Sequence, residues 1–123
     1  MSDDLLFAVK SSDLEEVKSL IKDGTDINST GQFGWTALHL AIYDGKREII
    51  DWLLGQKLNT NIKSDDGCTA LHYAANAWDE QTIKRLMAEH GADIRATDNR
   101  GQTPFESGVS MGCPNEILAR LKE

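Results

Sequence analysis

The sequence predicts an all-α solenoid of stacked helix-turn-helix units with projecting turns, and three observations predict it. Sliding the chain against itself by 33 residues aligns Gly34 with Gly67, the T-A-L-H run at 36–39 with that at 69–72, and Ala41 with Ala74. A match at one fixed offset marks a repeat architecture. Thr36, Thr69 and Thr103 each follow Gly-X and precede an apolar stretch, where a hydroxyl can cap the open N–H groups of a first helical turn. The apolar residues that follow recur at helical spacing, as in Ile49, Ile50, Leu53 and Leu54. One unit cannot bury such a stripe, but neighbouring units bury it against each other.

The first unit, roughly 1–31, replaces the Thr-X-Leu-His start with Asp3, Asp4, Leu5 and Leu6, and its second helix is expected to open on a capping box of Ser12 and Glu15. The second, 32–64, begins at G-W-T-A-L-H, and Ile50, Leu53 and Leu54 stand 33 residues after Val17, Leu20 and Ile21. Lys57 falls where Gly24 and Gly91 stand. A left-handed conformation is expected there, at a cost of about 1 kcal/mol for a residue with a Cβ.

In the third unit, 65–98, Ile83, Leu86 and Met87 continue the series, after which the offset becomes 34. The added residue lies between Met87 and Gly91 and lengthens that helix. Trp78 takes the inter-helix place of Ser12, Gly45 and Gly112, so the turn from Asn76 to Asp79 is expected to have altered geometry. The fourth unit, 99–123, starts with Pro104 after Thr103 and with Glu106 at the third helical position, a proline start combined with a capping box. The offset puts Ile117 and Leu121 in the places of Ile83 and Met87, and Arg120 in that of Leu86. Polar substitutions in the first and last units suit solvent-facing caps.

Residues 1–123 fit one domain. With 40% hydrophobic and 27% charged residues, an ordered chain is expected throughout. Thirteen basic residues against twenty acidic ones leave a net charge of −7, which repels phosphate backbones and anionic lipids and argues against nucleic-acid and membrane partners. The N-terminus begins acidic and its apolar run is short, so neither a signal peptide nor a membrane span is expected and a cytoplasmic location is. Cys68 and Cys113 fall in different units and are read as free thiols.

The segments G-W-T-A-L-H-L-A, G-C-T-A-L-H-Y-A, G-Q-T-P-F-E, D-L-E-E-V-K-S-L-I-K-D-G-T-D-I-N and H-G-A-D-I together resemble the ankyrin repeat family over essentially the full chain. The resemblance implies finger-like turns projecting from antiparallel helix pairs, and a concave face of finger tips and first helices that binds proteins. It also implies that His39 and His72 are structural residues tying neighbouring repeats together, a reading their recurrence supports. Gly31 and Ser64 stand where Asp98 keeps the family's finger aspartate, so greater mobility is expected of the first two fingers.

No catalytic residue, cofactor or metal site is expected. Cys68, His72, His90 and Cys113 lack the short paired spacings of a zinc site, and the glycines recur with the repeat instead of clustering into a phosphate loop. The leading function is a monomeric protein-interaction module, adaptor or stoichiometric inhibitor. The rival is a structural subunit of a larger assembly, and an enzyme ranks third.

The candidate partner-binding residues are Phe33, Trp35, Tyr43, Asp65, Asp66, Asn76, Trp78, Asn99, Arg100 and Met111. They occupy finger tips or first-helix ends, where equivalents differ between units and are not needed for stacking, and exposed aromatic residues at such places anchor interfaces. The expected partner presents basic side chains beside an apolar knob. Trp52, matched by Ser19 and Arg85, is assigned to packing.

Overall fold

A computed structural model describes residues 4–122, so Asp3 lies outside the described residues. Eight α-helices follow in order: α1 Asp4–Lys10, α2 Leu14–Lys22, α3 Ala37–Asp44, α4 Arg47–Leu54, α5 Ala70–Asn76, α6 Glu80–His90, α7 Pro104–Ser110 and α8 Asn115–Leu118. Short 3-10 turns occupy Gln32–Gly34 and Ala119–Leu121, and there is no strand among the described residues. The first helices form one row, α1 on α3, α3 on α5 and α5 on α7, with α2, α4 and α6 in a second row and α8 closing against α7.

The stripes read from the sequence form the core. Val17, Ile50, Leu53, Ile83 and Leu86 are fully buried. Ala8, Ala41 and Ala74, also buried, run through the first row, where small side chains let the helices approach. Gly108 continues this series, and a Cβ there would come within 2.6 Å of Leu118 Cδ2 and 3.2 Å of Ala75 Cβ. Trp52 is half-buried against the same core, as assigned.

Helices α3, α5 and α7 start immediately after Thr36, Thr69 and Thr103, with Pro104 and Glu106 in their expected roles. The inserted residue lengthens α6 to eleven residues, against eight in α4. His90 at its end donates from Nε2 to the Leu54 carbonyl at 2.7 Å, satisfying a helix-end acceptor of the preceding unit.

Four local expectations are corrected. Asp13, not Ser12, caps α2, accepting from the Glu16 N–H at 3.1 Å as Asp79 accepts from Thr82 at the start of α6. Ser12 instead sits in the left-handed turn between helices, at φ 61°. Trp78 does not alter that turn: it adopts φ 58°, close to Gly45 at 68° and Gly112 at 79°, because the backbone bonds closing the turn are the same. Asp79 N–H donates to Ala74 O as Lys46 N–H donates to Ala41 O. Lys57 lacks the positive φ of Gly24 and Gly91, and α4 closes through Gly55 and Gln56, one residue before the equivalent end of α2, so Lys57→Gly has no left-handed strain to relieve. In the last unit the helix starts after Pro114, one residue late, so Leu118 takes the fully buried place and Ile117 is only partly covered.

Candidate functional site

Each finger is a short loop closed by one backbone bond at its base: Gly31 N–H to Trp35 O (3.0 Å), Ser64 N–H to Cys68 O (2.9 Å) and Asp98 N–H to Gln102 O (2.9 Å). Neighbouring fingers are joined by Asp65 N–H to Phe33 O (2.9 Å) and Asn99 N–H to Asp66 O (3.1 Å). These bonds bring backbones so close that a Cβ on Gly34 would meet Asp65 N at 2.8 Å, and one on Gly67 would meet Asn99 N at 2.7 Å. Both glycines also have positive φ. Glycine is required there twice over, for conformation and for space.

The histidines fix the two later fingers from below. His39 Nδ1 accepts from the Thr36 N–H at 3.1 Å, which places the ring proton on Nε2, and this donates to Cys68 O at 3.0 Å. His72 repeats the arrangement, with Thr69 N–H at 3.0 Å and Gln102 O at 2.9 Å. Burial lowers both imidazole pKa values and favours the neutral form that this pattern needs. Both nitrogens of each ring therefore serve the repeat.

Cys68 and Cys113 are free and buried. Burial, reinforced by the Asp66 and Asp98 charges, pushes the Cys68 thiol up to about 12, so it stays protonated and weakly reactive near neutral pH. Among the described residues no group of three or more His, Cys, Asp or Glu could hold a metal ion, and no helix is long and apolar enough to cross a membrane.

Above this scaffold lies a cluster of rings. The Trp35 indole N–H donates to the Tyr73 hydroxyl at 2.6 Å, and ring centroids separate Trp35 from Phe33 by 5.0 Å, from Tyr43 by 5.1 Å and from Tyr73 by 6.1 Å. Trp35 and Tyr73 are half-buried, whereas Phe33 and Tyr43 are 56% and 67% exposed. Phe33 is held at φ 62°, a conformation costing a bulky residue roughly 1 kcal/mol or more. Phe33, Trp35, Tyr43, Asp65, Asp66 and Tyr73 line an open hollow of about 300 Å³. It continues past Asn76 and Met111 on one side, and towards Phe7, 71% exposed, on the other.

Seven of the ten sequence-selected residues thus line one continuous groove: Phe33, Trp35, Tyr43, Asp65, Asp66, Asn76 and Met111. Asn76 also accepts from the Ser107 hydroxyl at 2.7 Å. Asn99 works beside the groove, its amide donating to Asp65 O at 2.9 Å. Arg100 sits on the third finger, its N–H bound to Asp98, and does not line the groove; nor does Trp78, whose indole donates to Met111 O at 3.3 Å. Sequence reasoning missed Tyr73 and Phe7. Both occupy the repeat position held by Leu40, and a ring at that varying position was the available signal.

A family model described as ankyrin repeats (3 copies) matches residues 5–98 and, again, 45–119. The chain is 34% identical over 123 residues to an ankyrin repeat protein of Fowlpox virus (strain NVSL), covering 95% of this chain and 36% of that protein. Protein phosphatase 1 regulatory subunit 12A of Mus musculus is 33% identical over 123 residues, covering 94% of this chain and 11% of the subunit. The RelA-associated inhibitor of Mus musculus is 34% identical over 103 residues, covering 83% of this chain and 12% of the inhibitor. The chain therefore spans little more than a third of the length of the first of these curated relatives, and about a tenth of the other two.

Proposed function

Because the chain belongs to the ankyrin repeat family, whose repeats are protein-interaction modules, we propose that it docks a partner protein in the groove along its fingers and first helices. It acts as a cytoplasmic monomer, an adaptor or a stoichiometric inhibitor, without catalysis of its own. The observation that carries this reading is the exposed aromatic surface of Phe7, Phe33 and Tyr43 beside Trp35 and Tyr73. Stacking does not need those exposed rings, and aromatic anchors dominate binding energy at protein interfaces. Asp65 and Asp66 on the same edge, in a chain of net charge −7, favour a partner with a basic surface and steer its approach. The same charge opposes self-association. The names of two relatives, a regulatory subunit and an inhibitor, accord with a regulatory use of such repeats.

Partner capture from the native host with wild-type protein and with Tyr43→Ala tests the reading. Tyr43 is the suitable truncation because it is exposed, whereas Trp35 is tied to Tyr73 and its loss would also disturb packing. Affinity should fall by more than about 1 kcal/mol with the thermal midpoint nearly unchanged. Normal binding by this variant, with loss on changing exposed residues of α4 or α6, would place the interface on the opposite side.

A further inference from the structure

We infer that the hollow between the first two fingers, bounded by Phe33, Trp35, Tyr43, Tyr73, Asp65 and Asp66, is a subsite for one arginine side chain of the partner protein. This rests on the groove being the docking face and specifies what enters its centre.

Size is the first constraint. A space of about 300 Å³ lies at the lower limit of small-molecule pockets and suits a single long side chain. The chemistry of the walls is the second. Trp35 has already committed its one N–H to the Tyr73 oxygen, so the indole offers a visitor only its π surface. The neighbouring rings are inclined to it by 60° for Phe33, 40° for Tyr43 and 90° for Tyr73. Such a wall attracts apolar stems and cations and gives an anionic occupant little.

Charge is the third constraint and decides between an apolar and a cationic guest. Three acidic groups of the second-helix row are paired within the chain: Asp79 with Arg47 at 2.7 Å, and Asp51 and Glu89 with Arg85 at 3.4 Å and 3.0 Å. Among the described residues, neither Asp65 nor Asp66 takes part in an ion pair. Asp66 accepts from the Ser64 hydroxyl. Burial raises its carboxyl, but the Ser64 and Cys68 hydrogen bonds outweigh that and hold it below the ordinary range, so it is ionised at neutral pH. Two carboxylates without a cation beside a wall of rings form a place for a positive charge.

Arginine fits this better than lysine. Its planar guanidinium is weakly hydrated, stacks on aromatic faces and presents a fork of donors to a carboxylate, while an ammonium is compact and strongly hydrated. In the hollow, the aliphatic stem would cover the Phe33 and Tyr43 rings and the guanidinium would reach Asp66.

The test is an NMR titration of the full chain that follows the Trp35 indole N–H resonance. The probes are N-acetyl-arginine amide, N-acetyl-lysine amide, the trimethylated lysine derivative and N-acetyl-citrulline amide, the neutral isostere of arginine. Arginine should shift the resonance with the highest affinity of the four, and citrulline should bind about tenfold more weakly or not at all. Asp66→Asn should weaken the arginine probe by a similar factor. Asp65→Asn, which leaves the Ser64–Asp66 bond in place, is the second variant and should weaken it by a smaller factor. Citrulline binding as well as arginine, arginine affinity unchanged in both variants, or the absence of any shift would overturn the assignment. Tighter binding of trimethyl-lysine would also overturn it, in favour of a methylated cation. Failure with these probes while Tyr43→Ala still lowers partner capture removes the arginine subsite alone. Partner capture unaffected by Tyr43→Ala removes the docking face itself.

Discussion

The first finger, residues 31–35, and the third, residues 98–102, close with the same backbone bond but are held in different ways. In the third, Asp98 Oδ1 accepts from the N–H groups of Arg100 and Gln102, both at 2.9 Å, and His72 donates to the base carbonyl from below. In the first, Gly31 has no side chain to play that part, and Leu6 stands where the other units place His39 and His72. Its shape comes from Gly34 pressed against Asp65 and from Trp35 lodged among rings, with Phe33 forced to φ 62°. The third finger is built by local polar bonds and ends in polar residues. The first depends on its neighbours and carries the exposed aromatic surface on which the proposed docking rests. Where the first finger lacks the polar framework of the third, its shape rests on packing against the neighbouring finger and rings.

That contrast can be broken most directly through the glycines. Gly34→Ala must push against Asp65 backbone as well as adopt positive φ, and should cost about 2–4 kcal/mol. Gly101→Ala meets nothing within 4 Å and should cost only the conformational part, about 1–2 kcal/mol. Urea unfolding of the two variants measures the difference, and equal losses would mean that the first finger does not depend on the close approach to the second.

Next comes acid. The buried imidazoles of His39 and His72 have lowered pKa values, so below their ordinary value of 6.5 the unfolded chain takes up protons that the folded chain resists. Stability from these groups is complete above that value and declines as pH falls through it towards the folded pKa values. Hydrogen exchange should show protection factors at the Ser64 and Asp98 amides falling on acidification before that of Gly31, whose finger has no histidine beneath it. Uniform loss across the three would contradict the distinction.

The smallest effect sharpens the comparison at the tip. Phe33→Gly relieves a positive φ and should stabilise the fold by up to about 1 kcal/mol, whereas Arg100→Gly relieves none and should destabilise slightly. Thermal midpoints rank the two. If Phe33→Gly also weakens partner binding, stability at that position has been exchanged for recognition.

Much of the fold was legible because each unit repeats its own instructions. Thr36, Thr69 and Thr103 mark helix starts by local capping chemistry, and Val17, Ile50 and Ile83 mark the buried stripe by period. The errors fall where two local rules compete. Both Ser12 and Asp13 are good caps, and only the turn closed by Asp13 N–H to Ala8 O assigns the role to Asp13. Trp78 looked like a reason to rebuild a turn, yet the backbone bonds around it kept the shape and placed a bulky residue in a left-handed conformation.

The groove divides in the same way. Variation between equivalent positions pointed to Phe33, Trp35, Tyr43, Asp65 and Asp66, because a residue not needed for stacking is free to differ. Tyr73 escaped notice, since its membership depends on Trp35 reaching across 38 residues of chain to its hydroxyl. Arg100 and Trp78 share the variability but do not line the groove, and Trp78 instead spends its indole N–H on Met111 O. The sequence by itself determined the threonine-capped first helices and the stacking period, because these follow from interactions within one unit or between equivalent positions of neighbouring units. Which rings meet, and which carboxylates lie beside them without a cation, was decided only by the tertiary structure, because contacts between different repeats depend on how closely glycine lets their backbones approach.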